Sequence, residues 1–501
     1  MKVTFVYPDV LECVPSYKGA YYVGIAYLSA VLRQAGHTTS LIHIYQPDYN
    51  GQWFRRDLDE HQPDLIAFSS VKNGGPMVQR LASFLEESKI TTPTIYGGIH
   101  PTLAKEECVQ YEGIDMICVG EGEEVILDVV KALEHGESCD EIPNLWIKKK
   151  DGRVIQNPLR QLVANLDTLP FPDRDLFDYP NMHNEKRGEV TVLASRGCPY
   201  GCTYCANRAL MSTYKGTGKF VRFRSPENVA AEINLARQQY PFIHRVHFDD
   251  DILFMKKDWG HHFVEVYSKD VGLPFCSNIF PRLVDEEVVE MLAKSGCDEL
   301  RIGLESGNER IRKDVLKREL DEETIVNAFQ RAKKYGIHTM SFNMMGLPYE
   351  DAAALLDTIK LNAKAGVDNI QHTIFHPYPG TPLADLVVKE GWVTDRVNTS
   401  YYQDSVLNLP TLSRAQLHMF QRYFHTLVGV YAWIYRRPKW LSRPIERALD
   451  FTMTRKYTPA VMPLVRPLIH AVRVCLSPLL KVLRSRAWRK RYATEPGAAH
   501  Y

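Results

Sequence analysis

The first 145 residues alternate short apolar runs with stretches of helical periodicity. The apolar runs are VTFVYP, TSLIHIY, LIAFSS, TIYGG and MICVG. Between the first two, residues 24–36 place Ile25, Leu28, Val31 and Leu32 on one helical face. Strands that are apolar throughout and separated by helices are typical of a parallel sheet covered on both faces. The pattern predicts an α/β fold with an N-terminal doubly wound parallel sheet over residues 1–145.

The alternation stops over residues 146–187. This stretch contains KKKDGRVIQNP and TLPFPDRDLFDYP, which are rich in proline and aspartate. Such composition predicts a β-turn followed by a linker. We therefore expect a domain boundary here.

From Glu189 onward the alternation resumes with longer units. The apolar runs are VTVLAS, RVHFDDD, PFCSNIF, ELRIGLES, HTMSFNMMG and IQHTIFHPYPG, most of them separated by a helical segment such as residues 286–294. Six such units suggest a β/α barrel, complete or partial, and we expect a partial (β/α)6 barrel over residues 188–410. In such barrels the chemistry lies at the carboxyl ends of the strands.

Composition indicates an ordinary globular protein from a reducing compartment. The chain has 501 residues, 45% hydrophobic and 24% charged, enough for two to four domains. Seven of its ten cysteines are scattered without a disulfide pattern. The opening MKVTFVYPDV resembles a strand and not a secretory signal. We expect a cytoplasmic protein.

The remaining three cysteines lie together in SRGCPYGCTYC, as Cys198, Cys202 and Cys205. A structural zinc site normally has four protein ligands, and neither a second cysteine pair nor a nearby histidine completes this one. Three thiolates suit a four-iron cluster whose fourth iron stays open for a small molecule.

Cysteines spaced C-x-x-x-C-x-x-C after a first barrel strand, with an aromatic residue before the last, resemble the radical S-adenosylmethionine (SAM) superfamily. The resemblance implies that Cys198, Cys202 and Cys205 bind a [4Fe–4S] cluster whose open iron chelates SAM. Reductive cleavage would then give a 5′-deoxyadenosyl radical that abstracts hydrogen from the substrate, so the cofactors supply the difficult chemistry.

Further motifs of this superfamily follow in order along the chain. HFDDDILF resembles the element that holds the ammonium of SAM, although three acids can also form a solvated turn or a helix cap. GLESGNE resembles a contact to the ribose or amino-acid end, NMMGLPYED resembles the element beside the adenine, and HPYPGTPL is a recurrent motif of the subgroup. The implied SAM contacts are Tyr204, Asp249, Asp250, Asp251, Glu305, Ser306 and Gly346. No catalytic side chain is nominated.

Glycine-rich motifs end successive strands of the first domain. FSSVKNG, YGGIHPT and CVGEGEE stand where open α/β sheets bind ligands. They suit a dinucleotide or a phosphate-bearing cofactor, yet no G-x-G-x-x-G follows the first strand. The combination with the following barrel is similar to the cobalamin-dependent branch of the superfamily, over about the first 400 residues. The implied cobalamin contacts are Ser69, Ser70, Gly97, Gly98, His100, Gly120, Glu121 and Gly122.

One part of the cobalamin pattern is missing. The axial histidine of the D-x-H-x-x-G motif has a single nearby candidate, His43 in LIHIYQ, where Leu41 and Gln46 replace the aspartate and the glycine. We expect His43 to be a strand residue and not a cobalt ligand. Many members of this branch bind cobalamin without a histidine on the lower face.

The C-terminal region, residues 411–501, is predicted to be helical and basic. Residues 431–492 contain 15 Lys and Arg against 2 acids, interleaved with Trp, Tyr and aliphatic residues. The longest uncharged apolar run, residues 424–435, is too short to span a bilayer. An amphipathic helix on an anionic membrane surface fits this composition. A basic helical cap on the barrel is the alternative, and no RNA-binding motif supports nucleic acid as the partner.

The resemblance implies a cobalamin-dependent radical methyltransferase that modifies an unactivated carbon. With peripheral contact to the inner face of the membrane, the substrate would be a hopanoid or other isoprenoid lipid, or a tetrapyrrole. A flavodoxin- or ferredoxin-type protein would donate electrons. Two alternatives stay open: oxidative cyclisation or rearrangement with the same cofactors and no methyl transfer, and a non-catalytic metal-binding or sensor protein.

Overall fold

The computed structural model describes residues 1–10, 17–396, 400, 402–460 and 462. The chain divides into two compact units. Unit 1 comprises residues 1–253, 262–275 and 378–385, and unit 2 comprises residues 254–261, 276–377 and the described residues from 386 onward. The predicted boundaries after residues 145, 187 and 410 stay predictions.

A seven-stranded sheet forms the first part of unit 1, within the residues described. Its strands are β1 (Lys2–Pro8), β2 (Thr38–Ile44), β3 (Leu65–Ser69), β4 (Thr94–Gly97), β5 (Met116–Cys118), β6 (Leu145–Lys148) and β7 (Val154–Gln156). The order is β2-β1-β3-β4-β5-β6-β7, with β1 to β5 parallel and β6 and β7 antiparallel to their neighbours. The five strands predicted from the apolar runs are confirmed.

Helices cover both faces of this sheet. They are α1 (Val23–Gln34), α2 (Gly51–His61), α3 (Gly75–Glu87), α4 (Ile99–Leu103), α5 (Lys105–Cys108) and α6 (Glu123–His135). Helix α1 packs on α6, and α2 packs on α3. On the α2–α3 face, Phe54, Val78 and Leu81 pack with Phe68 and Tyr96 of the strands. The sheet is therefore doubly wound, as the sequence predicted.

Two antiparallel strands lie where the sequence indicated a turn and a linker. Strands β6 and β7 form a hairpin in which Lys149 donates its backbone N–H to the Arg153 carbonyl at 2.8 Å, and Gly152 adopts a φ of +84°. With three to four residues each, beside a run of three lysines, these strands are too short to give a clear apolar pattern. The turn was predicted, but the hairpin that extends the sheet was not.

A half-barrel of six parallel strands follows. Its strands, in spatial order, are β8 (Glu189–Val192), β11 (Arg245–Phe248), β12 (Phe275–Ile279), β13 (Cys297–Glu305), β14 (His338–Met345) and β15 (Asn369–Ile374). In addition, β9 (Ser195–Arg196) and β10 (Arg222–Phe223) form an antiparallel ribbon in unit 1. The predicted partial barrel is confirmed.

The helices after β9 are α7 (Ala206–Thr213), α8 (Pro226–Gln239), α9 (Lys257–Asp270), α10 (Glu286–Lys294), α11 (Glu322–Lys334), α12 (Ala352–Ala365), α13 (Pro382–Lys389), α14 (Arg414–Tyr435) and α15 (Lys439–Met453). Several begin at a capping side chain. Ser225, Asp285, Asp321, Asp351 and Ser413 each accept a hydrogen bond from the backbone N–H three residues later. Such caps satisfy donors that have no partner within the helix.

The start of the predicted basic region is helical. In α14, Phe420 and Phe424 pack against Leu355 and Ile359 of α12, so the apolar run predicted from residue 424 belongs to the core of unit 2. No helix among the described residues has both the length and the apolar composition needed to cross a bilayer. The basic stretch over residues 463–492 lies outside the described residues, as do Cys13 and Cys475.

Candidate cofactor site

The three clustered cysteines lie on one loop of unit 1, residues 197–205, between β9 and α7. Gly197 opens the loop with a φ of +88°, and a Cβ there would stand 2.6 Å from the Phe220 carbonyl oxygen, so only glycine fits. Cys205 is the N-cap of α7, and its backbone N–H donates to the Cys202 carbonyl at 3.2 Å. The loop therefore has a defined backbone that presents all three thiols.

Burial, with smaller contributions from Asp251 and the neighbouring thiols, raises the pKa of Cys198 to about 12 and that of Cys205 to about 11. Such thiols ionise only beside a strong positive charge, as metal ligation provides. Among the described residues, no three His, Cys, Asp or Glu side chains are arranged to hold a metal ion. Three thiols on one loop, with Cys202 buried and Cys198 and Cys205 half-buried, fit a [4Fe–4S] cluster with one open iron. Tyr204, half-buried, precedes Cys205 on the same loop.

The three aspartates after β11 have different environments. The buried Asp250 accepts hydrogen bonds from the Ala194 N–H at 3.0 Å and from the Ser195 hydroxyl. It therefore links the end of β11 to the segment that leads into the cysteine loop. Asp249 is exposed, with its carboxylate 3.6 Å from His247 Nε2. Asp249 is thus more available to a ligand than Asp250.

Asp251 lies beside the cysteine loop. Its carboxylate accepts a hydrogen bond from Asn207 Nδ2 at 2.7 Å, and Asn207 lies in the first turn of α7, two residues after Cys205. The charge of Asp251 contributes to the raised pKa of Cys198 and Cys205. The structure thus places Asp251 of the acidic motif beside the helix that follows the cysteine motif.

Glu305 and Ser306 lie at the carboxyl end of β13 in unit 2. The register between β13 and β14 shifts between Gly303 and Glu305, and Glu305 has a φ of +66°, which is rare for a residue with a side chain. Its carboxylate lies 3.9 Å from Arg318. Ser306 is fully buried, and its hydroxyl accepts the Asn308 N–H at 3.3 Å. Strained backbone of this kind is typical of functional sites.

Gly346 follows the neighbouring strand β14 with a φ of +72°. Its N–H donates to Glu350 Oε2 at 2.7 Å, and the Leu347 N–H donates to the same oxygen at 3.2 Å. Glu350 is fully buried, and burial raises its pKa to about 8. Sequence reasoning did not identify Glu350, although it lies four residues after Gly346 within NMMGLPYED. This carboxyl group fixes the turn at Gly346.

A cavity of about 300 Å³ opens at the carboxyl ends of the strands in unit 1. Six of the eight predicted cobalamin contacts supply part of its lining: Ser69, Gly97, Gly98, Gly120, Glu121 and Gly122. Apolar and aromatic side chains that were not predicted complete it, among them Tyr22, Leu28, Leu193, Leu210 and Tyr214. A Cβ on Gly120, which has a φ of +106°, would stand 2.9 Å from the Tyr214 hydroxyl. A wall without side chains beside apolar surface fits part of a corrinoid.

Two further predicted contacts do not line this cavity. The buried Ser70 hydroxyl lies 2.7 Å from the Tyr96 hydroxyl, which lies 2.7 Å from His100 Nδ1. Burial lowers the pKa of His100 to about 4, so its ring is neutral. Ser70 and His100 thus belong to an internal hydrogen-bond chain. His43 lies in β2, as expected, with Nε2 3.2 Å from an Asp9 carboxylate oxygen, and it does not line the cavity either.

Glu121 connects the cavity wall to the cysteine loop. Its carboxylate accepts hydrogen bonds from Arg196 at 3.0 Å and from Arg222 at 2.7 and 2.9 Å, while Arg196 also pairs with Glu123 at 2.6 Å. Burial opposes ionisation of Glu121, but the two guanidinium groups hold its pKa below the usual value. Arg196 and Arg222 lie on β9 and β10, the ribbon that leads into the cysteines.

Comparisons with known proteins identify the two parts of the chain. The family model described as B12 binding domain matches residues 17–130, and the model described as Radical SAM superfamily matches residues 192–391. The chain belongs to the cobalamin-dependent radical SAM enzymes. It is therefore an enzyme, its cofactors are a [4Fe–4S] cluster, SAM and cobalamin, and the non-catalytic alternative is excluded.

Relatives extend over most of the chain. An uncharacterized methyltransferase of Pyrococcus horikoshii is 25% identical over 91% of this chain and 97% of its own length. The anaerobic magnesium-protoporphyrin IX monomethyl ester cyclase of Rubrivivax gelatinosus is 24% identical over 76% of this chain and 69% of its own. The fold is similar to that of the cobalamin-dependent radical SAM enzyme OxsB with aqua-cobalamin bound, with a TM-score of 0.67 and 17% identity over 93% of this chain and 75% of that one.

Proposed function

We propose that this enzyme transfers a cobalamin-borne methyl group to an unactivated carbon of a hydrophobic substrate. The observation that carries the proposal is the ion-pair network from Glu121 to Arg196 and Arg222, which ties the wall of the corrinoid cavity to the ribbon before Cys198. When bound, the cluster and SAM supply one-electron cleavage and hydrogen abstraction, and cobalamin supplies the methyl group. For such a transfer, the methyl donor and the radical source must be held at fixed positions relative to the substrate.

Each part of the site then has a role. Cys198, Cys202 and Cys205 hold the cluster and leave one iron open. The exposed carboxylate of Asp249 and the adjacent Asp251 attract the ammonium group of SAM, while Asp250 holds the cysteine segment against β11. Within unit 2, Glu305, Ser306 and the turn at Gly346 stay the proposed SAM contacts that the resemblance implies.

The cavity is proposed as the site of part of the corrinoid. Ser69, Gly97, Gly98, Gly120 and Gly122 leave room for a close backbone approach. Ser70 and His100 act behind this wall and not as direct contacts, since their polar groups are engaged with Tyr96. We assign no axial histidine, because His43 is engaged with Asp9.

A hydrophobic substrate is proposed from the basic and aromatic C-terminal region. A hopanoid or other isoprenoid lipid, or a tetrapyrrole, suits an enzyme that works beside a membrane. Radical SAM enzymes require an electron donor, and a flavodoxin or ferredoxin type is proposed here. One relative favours a second candidate function: the Rubrivivax gelatinosus cyclase aligns over 76% of the chain. Oxidative cyclisation would use the same cofactors without methyl transfer.

Product mass separates the two functions. The purified protein is reconstituted anaerobically with iron, sulfide and hydroxocobalamin, then incubated with reductant, methyl-labelled SAM and a total lipid extract that includes tetrapyrroles. We expect a labelled product one methylene unit heavier than its precursor. A product that has lost hydrogen and carries no label would establish cyclisation instead. Cys139→Ala, at a half-buried thiol outside the site, is the matched control for variants of the cluster cysteines.

A further inference from the structure

Helix α15 has an outer face that combines aromatic side chains with cations. We call this the basic-aromatic face, formed by Trp440, Arg443, Arg447 and Phe451 of α15 together with Arg455 and Tyr457, which follow the end of the helix at Met453. Trp440 is 76% exposed, Phe451 58% and Tyr457 59%. At 100° per residue, the positions 440, 443, 447 and 451 fall on one side of the helix. Large aromatic side chains clustered on a surface indicate a binding partner.

The acids of this region are turned away from that face. Glu446 and Asp450 are the acids among residues 431–460, and both pair with Lys360 of α12, at 2.7 and 2.9 Å. Asp450 also accepts the Tyr431 hydroxyl at 2.6 Å, and Glu446 accepts the Tyr435 hydroxyl at 3.1 Å. Their charges are therefore satisfied within unit 2. The outer face keeps its cations without an acid beside them in the described part of this region.

The cations and the aromatic rings of the face form one amphipathic surface. The Arg455 guanidinium lies 3.7 Å from the ring centroid of Phe451. Arginines of this type can reach phosphate groups while their stems and the rings enter an apolar layer. On the opposite side, Met453 is buried in the core with Phe424 of α14. Helix α15 thus has one side packed in unit 2, while the other side is not covered by any of the described residues.

We propose that the basic-aromatic face docks on an anionic lipid bilayer. Tryptophan, tyrosine and arginine are the side chains suited to the headgroup layer, and anionic lipids complement the charge. The chain's own residues 463–501 are a poor occupant, because they carry 8 Lys and Arg against 1 acid and would repel the face. A nucleic acid would match the charge but not the stripe of apolar rings along a convex helix. The docking proposal depends only on the composition and exposure of this face. That a lipid substrate enters the enzyme from the docked bilayer rests, in addition, on the proposed function.

The test measures binding of the full-length protein to sedimenting vesicles, with no need for turnover. Vesicles of phosphatidylglycerol and phosphatidylcholine are compared with vesicles of phosphatidylcholine alone. We expect binding to the anionic vesicles only, weakened by added salt. Arg443→Glu/Arg447→Glu should weaken it on the order of tenfold or more. Lys150→Glu/Lys269→Glu, which reverses two exposed cations elsewhere, is the matched control and should bind as the original chain does.

A second variant separates the aromatic contribution. Trp440→Ser/Phe451→Ser keeps every charge, and we expect it to lose binding at high salt, where the apolar contact dominates. Both double variants alter exposed side chains, so each should unfold at the original temperature. Tryptophan fluorescence gives a test that does not depend on the charge variants. Vesicles of brominated lipid should quench part of the fluorescence of the original chain, and this quenched part should be absent from Trp440→Ser.

Three outcomes would overturn the proposal: anionic vesicles bind no better than neutral ones, the variants of the face bind as the control variant does, or the face binds total RNA and not vesicles. Failure of the docking proposal can be distinguished from failure of the proposed function, because vesicle binding and product formation are measured separately. A protein that binds vesicles but makes no methylated product keeps the docking surface. A protein that methylates a substrate but ignores vesicles loses only the docking surface.

Discussion

Glu121 and Arg196 form a partly buried ion pair at 3.0 Å, and Arg196 lies two residues before Cys198. Glu121 lines the cavity at the strand ends, so one contact joins the proposed corrinoid wall to the cysteine loop. Arg222 binds the same carboxylate from the partner strand of the ribbon. The network fixes two motifs that lie 75 residues apart in sequence.

Glu121→Gln tests this network. It removes the charge partner of the buried Arg222 guanidinium and one of the two partners of the half-buried Arg196, a loss that costs at most about 3 kcal/mol of folding free energy. We expect the purified variant to still form 5′-deoxyadenosine, while the methylated product falls on the order of a hundredfold, because small misplacements of reacting groups have such effects. Quantifying both products by mass spectrometry checks this.

Glu124→Gln is the matched control for Glu121→Gln. Glu124 pairs with Arg160 at 2.7 Å but is 60% exposed, so the loss costs at most about 1 kcal/mol. Equal losses of deoxyadenosine and of methylated product in Glu121→Gln would show that the network merely stabilises the fold.

Cys202→Ala removes the most buried of the three thiols on the loop. We expect loss of the bound cluster, measured as iron and sulfide content, and loss of SAM cleavage, because two thiolates cannot hold four irons with one site open. Cobalamin binding should persist, since no cysteine of this loop lines the cavity. Cleavage of SAM by this variant would rule out the cluster role, provided that Cys139→Ala behaves as the original chain does.

Gly120→Ala tests the cavity. The new Cβ would stand 2.9 Å from the Tyr214 hydroxyl, at a φ of +106°. We expect cobalamin affinity to fall at least about tenfold, the equivalent of 1.4 kcal/mol, as measured by equilibrium titration followed by absorbance. Gly136→Ala is the control: it also has a positive φ, of +66°, but nothing lies within 4 Å of its Cβ. If both variants bound cobalamin equally, the cavity would not be the cobalamin site.

Glu350→Gln tests the buried carboxyl group behind Gly346. Burial raises its pKa from 4.5 to about 8, so the folded state keeps it protonated at pH values where the unfolded chain ionises it. Its stabilising contribution is therefore complete below about pH 4.5 and declines as the pH rises toward 8. A glutamine accepts the same two N–H groups at every pH.

We therefore expect the midpoint temperature of thermal unfolding of Glu350→Gln to increase relative to that of the original chain as the pH rises from 5 to 8. Differential scanning calorimetry at several pH values measures the difference. A difference that does not change over this range would mean that Glu350 ionises normally and does not hold the Gly346 turn as a neutral acid.

The sequence predicted what depends on short-range pattern. Continuous apolar runs identified five parallel strands, and the spacing of Cys198, Cys202 and Cys205 is the basis of the proposed cluster loop. The β6–β7 hairpin was not recognised, because its strands are short and partly charged. Local apolar pattern carries little information at that length.

The structure also separates residues that look alike in sequence. Ser69 lines the cavity, whereas Ser70 points at Tyr96, since successive side chains alternate between the faces of a strand. Asp250 is engaged with Ser195, whereas Asp249 is exposed. Glu121 was expected to contact cobalamin, and its pairing with Arg222, 101 residues away, could not be seen in a local motif.

The most direct test of the central claim is the ratio of two nucleoside products in the reconstituted enzyme. Methyl transfer by this chemistry consumes two molecules of SAM, one as methyl donor and one as radical source. We predict equal amounts of S-adenosylhomocysteine and 5′-deoxyadenosine, both tracking the labelled product, and loss of that product when cobalamin is withheld. Substrate-dependent 5′-deoxyadenosine without matching S-adenosylhomocysteine would contradict methyl transfer and favour cyclisation.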